Sequence, residues 1–105
     1  MKIKVKGKII EAKVCNNIFQ QARGLMFKKN SKPLLFVFKN SKKRAIHSFF
    51  CKPFIAIWFN NNKIVDLKLV KSNKFSIKPK EKFNKLLEIP NNDIIFKSFL
   101  DEENI

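Results

Sequence analysis

A chain of 105 residues suffices for one domain with one modest core, and 45% hydrophobic content excludes a disordered polymer. A net charge of +15 with a high pI fits either a Lys-covered solvent face or a surface that attracts polyanions such as RNA, DNA or anionic lipid headgroups. Two Cys and one His are too few for a structural zinc site, and no metal or other cofactor is expected.

Ile3 and Val5 alternate with Lys2, Lys4 and Lys6, the period of two that marks a half-buried strand. After Gly7 the alternation resumes with Ile10, Ala12 and Val14, so the spacing predicts an N-terminal hairpin, or one bent strand if Gly7 is a bulge. Ile18, Ala22, Leu25 and Met26 then fall at helical spacing, with Asn17 as cap, and predict one short helix near residues 18–26. Leu34 to Phe38 is an apolar run suited to a central strand, and Arg44 to Cys51 reads as another strand that stops at Lys52-Pro53. Ile55 to Phe59 and Lys63 to Val70 flank Asn60-Asn61-Asn62, the clearest hairpin signal, although Ile64, Val65, Asp66 and Leu67 alternate imperfectly. Phe83 to Ile89 places Leu87 and Ile89 on one face and Leu86 and Glu88 on the other, before Pro90. Asn92-Asp93 caps a short turn through Phe96, and the acidic tail at 101–105 is expected to fray. The sum is a mainly β, single-domain antiparallel sandwich or barrel of about seven or eight short strands with one helix.

The charge is uneven. Residues 1–65 hold 15 Lys/Arg against the single acid Glu11, a balance of +14, while residues 66–105 hold 8 against 7. Lys2, Lys4, Lys6 and Lys8 break up the N-terminus before a signal-like apolar stretch can form. The longest apolar segment, Ala45 to Phe59, contains Lys52 and Pro53 and falls short of the ~20 residues a span needs. A reduced, cytoplasmic protein without a transmembrane segment is the expectation.

Four short motifs occur in a fixed order: Arg23-Gly24-Leu25-Met26, Leu35-Phe36-Val37-Phe38, His47-Ser48-Phe49-Phe50 and Leu87-Glu88-Ile89-Pro90. Together they resemble the domain-of-unknown-function family 192, small bacterial and archaeal β-sandwich proteins, over most of the chain to Pro90. The His-x-Phe-Phe element matches the archaeal version. The resemblance implies the fold and carries no settled reaction. After the Phe-Phe pair the family reads Phe-Pro-Ile-Asp, whereas this chain reads Pro53-Phe54-Ile55-Ala56. Any role of that Asp is missing at Ala56, which leaves room for a diverged, binding-only member.

Arg23 is either an anion clamp or half of an internal ion pair with Glu88 that ties helix to sheet, and the second reading is preferred. His47 and Cys51 share a strand face about 13 Å apart at ~3.3 Å per residue, too far for a nucleophile pair. His47 then reads as a hydrogen-bonded strand residue, with a pocket role as the alternative. Asp66 pairs with a neighbouring Lys rather than joining Glu88 in a two-carboxylate cleft. Phe49, Phe50, Phe54, Trp58 and Phe59 are candidate base-stacking rings, but core packing explains them better. Walker, GxSxG, HExxH and dinucleotide motifs are absent from the sequence. The expectation is a non-catalytic binding or interaction module. The first alternative is RNA or ssDNA binding through a basic face that includes Lys28, Lys29, Lys42, Lys43 and Arg44. The second is a small-ligand or enzymatic domain using Arg23, His47 and Glu88.

Overall fold

The computed structural model describes residues 1–16, 24–26, 28 and 30–103, the last three by backbone alone. Its elements are β1 (Lys2–Val5), β2 (Lys8–Glu11), β3 (Lys13–Cys15), β4 (Leu34–Lys42), β5 (Phe54–Asn60), β6 (Lys63–Val70), β7 (Phe83–Pro90) and a helix, α1 (Ile94–Glu103). The fold is mainly β, as the alternation predicts. β1 and β2 form a two-stranded sheet, and the other strands form a five-stranded sheet in the order β3-β4-β7-β5-β6.

The N-terminal hairpin closes through Lys6 and Gly7, both at positive φ (49° and 80°), the geometry of a primed two-residue turn. After Ala12 the chain passes to the larger sheet, where β3 runs parallel to β4, with Val14 opposite Leu35. This pair departs from an all-antiparallel sandwich; residues 16–33 supply the long connection that a parallel pair needs. β7 sits in the middle of the sheet between β4 and β5, so Leu86 to Pro90 are all buried.

The sheet has two apolar faces. Leu35, Ile55, Ile57, Phe59, Leu87 and Ile89 pack against Val5 and Ile10 of the hairpin and Phe99 of α1. Phe36, Phe54, Ala56, Trp58 and Leu86 face the other way, beneath Leu25, Cys51, Ile46 and Ile77 from the loops. Fully burying a side chain such as Phe99 contributes about 1.5–3 kcal/mol, so the helix is anchored by that ring. The irregular pattern in β6 has a local cause: Trp58 faces Asp66 but Phe59 faces Ile64, so Val65 is an extra residue and the strand changes face there.

Three expectations need correction or placement. The Arg44–Cys51 segment is not a strand; only Ile46 makes a single bridge, to Ile77, and Phe50 at φ 58° breaks the extension. Residues 94–103 form a ten-residue helix rather than a short turn, capped where the Ile95 amide donates to Asp93 Oδ1 at 2.9 Å. Of the helix expected near 18–26, residues 17–23 lie outside the described residues, and Gly24 to Met26 form a turn with Gly24 at φ 49°.

Candidate functional site

Ser48 ties two long loops together. Its hydroxyl donates to the Lys71 carbonyl at 2.6 Å and accepts from the Lys74 amide at 2.8 Å. Its backbone amide donates to the Lys74 carbonyl, and its carbonyl accepts from the amides of Asn73 and Cys51. Ser48 is fully buried, so each of these bonds replaces one that water cannot make. Asn73, at φ 58°, accepts from the Phe50 amide through its side chain at 3.0 Å, which fixes the left-handed turn at Phe50.

The consequence is a tip of rings standing out of the protein. Phe50 is 63% exposed and Phe75 83% exposed. Phe49 meets Phe75 edge to face at 5.0 Å and lies 5.4 Å from the His47 ring. His47 is exposed, and its Nδ1 accepts from the Phe49 amide at 3.2 Å. Lys52, Lys71 and Lys74 are exposed on the same two loops. Of the five aromatic residues weighed from the sequence, Phe54, Trp58 and Phe59 are core, whereas core packing fails for Phe50. Phe75 escapes a sequence reading because it stands alone among polar residues; the clue available is the Asn73 that precedes it.

Glu88 belongs to a different place. It is 7% exposed on central strand β7, beside Leu34 on one neighbour and Ala56 on the other. Burial alone pushes its carboxyl up to about 8, so it is held largely as the neutral acid at pH 7. Gly24 covers it closely: a Cβ there would lie 3.4 Å from Glu88 Oε1. The family's Asp position falls at Ala56, which is fully buried directly opposite Glu88. An acid there would stand directly beside Glu88; with Ala56 no carboxylate occupies the position opposite it.

Arg23 and Lys29 lie outside the described residues. His47 is at the exposed ring tip and Glu88 in the sheet interior, with no contact between them. Lys42 and Lys43 are exposed and Lys28 half-buried. Arg44 is engaged: its guanidinium lies 4.3 Å over the Phe38 ring and donates to the Asn40 carbonyl. Asp66 is buried; its carboxylate accepts from the Lys80 and Leu67 amides and lies 3.9 Å from the Lys68 ammonium. Cys15 and Cys51 are buried thiols. Burial raises both, Cys51 to about 11, which leaves little thiolate for nucleophilic chemistry. Among the described residues no three His, Cys, Asp or Glu cluster as a metal site, and no helix is long and apolar enough to cross a membrane.

The family model DUF192, an uncharacterised ACR, matches residues 1–95. No curated protein matches the chain. Two crystal structures share its fold. A protein of unknown function from Novosphingobium aromaticivorans is 13% identical with a TM-score of 0.73, over 85% of this chain and 70% of that one. A candidate transcription regulator from Sinorhizobium meliloti is 16% identical with a TM-score of 0.71, over 85% of this chain and 76% of that one.

Proposed function

The chain belongs to the DUF192 family, and from that premise we propose that it is a non-catalytic binding module whose partner is a polyanion. One observation carries the reading. Residues 43–53 and 71–80, the loops joined through Ser48, hold seven Lys/Arg and no acid. Like charges on adjoining loops reinforce one another's field, and their pull on a polyanion weakens as salt screens it. Lys42, exposed, leads into the first loop. The binding role rather than a catalytic one is supported by Glu88, which faces Leu34 and Ala56 rather than a second acid across the sheet, and by the raised thiols of Cys15 and Cys51. In this reading His47 is part of the contact surface. A reducing, cytoplasmic setting belongs to the same reading, in keeping with two buried thiols.

The test is elution from immobilised heparin, a polyanion without bases. The wild type elutes only at elevated salt, and a Lys52→Glu, Lys71→Glu, Lys74→Glu variant elutes markedly earlier while its circular dichroism is unchanged. Passage of the wild type through the column at 50 mM salt, or unaltered elution of the triple variant, refutes the proposal.

A further inference from the structure

The exposed rings ask for more than charge from a partner. We propose that the tip formed by His47, Phe49, Phe50 and Phe75, ringed by Lys52, Lys71 and Lys74, binds single-stranded nucleic acid by stacking unpaired bases on its rings. The inference rests on the polyanion reading and narrows it to one ligand class.

Three features carry it. First, the rings are held, not trailing. Phe49 and Phe75 come from different loops and meet at 5.0 Å and 89°, so the two ring planes are fixed at a right angle. Edge-to-face contact leaves ring faces available, and a flat face is what a base requires. Phe50 is set by its left-handed backbone and by the bond from its amide to Asn73. Second, exposed cations accompany the rings along both loops: Lys74 adjoins Phe75, Lys52 is two residues from Phe50, and Lys71 is held beside them by its carbonyl, which accepts from the Ser48 hydroxyl. Rings interleaved with Lys form the arrangement that tracks a single strand independently of its sequence. Third, the surroundings are polar. Ser72, Asn73, Lys74 and Ser76 flank Phe75 on both sides. A loop built to enter a bilayer presents a continuous apolar tip, whereas donors and acceptors between rings suit base edges and sugar hydroxyls. A duplex keeps its bases stacked on each other and offers only phosphate to this surface.

The experiment uses the full chain and fluorescence anisotropy with a labelled oligo-dT strand of about 15 nucleotides, within the site range of small β-domain binders. Oligo-rU, a duplex of equal length, and anionic vesicles of phosphatidylserine and phosphatidylcholine form the other arms, and heparin elution is run on every variant. Phe75 is 83% exposed, so its replacement does not unfold the protein. The expected result is tighter binding of single strands than of duplex, an affinity loss of about tenfold in Phe75→Ala and Phe75→Leu, and recovery in Phe75→Trp, with heparin elution unmoved in all three. Loss of the Ala variant with full activity of the Leu variant refutes stacking, because Leu keeps the apolar surface and lacks the ring face. Heparin binding without preference for single strands over duplex overturns the inference and leaves the polyanion reading standing. Vesicle binding that depends on Phe75, without oligonucleotide affinity, replaces it with a membrane contact. No binding to heparin or to any oligonucleotide ends both.

Discussion

Replacing Glu88 by Gln keeps the length and planar head of the side chain while removing its ionisation. The unfolded chain ionises this carboxyl near its ordinary 4.5, and the folded chain only near 8, because burial disfavours the anion. The stability linked to the group is therefore whole below pH 4.5 and falls as pH climbs toward 8. At about 1.4 kcal/mol per pH unit, wild type loses about 3 kcal/mol between pH 4.5 and pH 7 relative to a side chain that does not titrate. That is a large part of the 5–15 kcal/mol typical of a domain. Urea unfolding followed through Trp58, the single and fully buried Trp, reads it directly. The two proteins are expected to agree at pH 4 and to separate progressively, with Glu88→Gln about 3 kcal/mol more stable at pH 7. A Gln variant less stable than wild type at pH 7 would mean that Glu88 is ionised and paired.

Gly24→Ala meets a φ of 49°, costly for any residue with a Cβ, and places that atom 3.4 Å from Glu88 Oε1; thermal melting should show a loss of about 1 kcal/mol. Ser48→Ala leaves the Lys71 carbonyl and the Lys74 amide without their hydroxyl partner, costing about 2–3 kcal/mol, and amide exchange should quicken first at residues 73 and 74. Ala56→Asp puts a second carboxylate directly opposite buried Glu88, and denaturation should show at least about 3 kcal/mol of destabilisation at pH 7, shrinking toward pH 4 as both acids protonate. Phe99→Ala removes the anchor of α1 and should cost about 3–5 kcal/mol, with reduced helical circular dichroism if the helix detaches.

The strands that could be read from the sequence are those with a simple relation between pattern and burial. β1 and β2 alternate because one face meets the core, and β4 is uniformly apolar at its start because both faces are covered there. The β5–β6 hairpin announces itself through its Asn turn, with Asn61 at φ 57°. Its imperfect alternation is a bulge, which the sequence records as Val65 out of phase. The errors arise where partners at long range decide. Arg44–Cys51 has strand composition, but the backbone of Ser48 bonds to residues 73 and 74 instead of to a neighbouring strand. α1 is ten residues long, and helices of that length are marginal in water; burial of Phe99 against the sheet stabilises it, and that contact is absent from local sequence.

The rings divide by a similar rule. Trp58 and Phe54 are inside because strand alternation aims them at one face, a geometry that the period of two predicts. Phe50 is outside because a left-handed backbone turns it away, and that conformation costs a non-Gly residue of order 1–3 kcal/mol. The penalty is offset by bonds that Phe50 does not carry in its own neighbourhood: the Asn73 side chain 23 residues away, and the Ser48 hydroxyl that holds residues 71 and 74. A hydrophobic collapse left to itself would draw Phe50 and Phe75 under cover. Their exposure follows from buried hydrogen bonds at Ser48, so exposure and loop rigidity are one property. Loosening Ser48 should therefore cover Phe75 and weaken any partner that uses it, even though Ser48 itself is wholly buried.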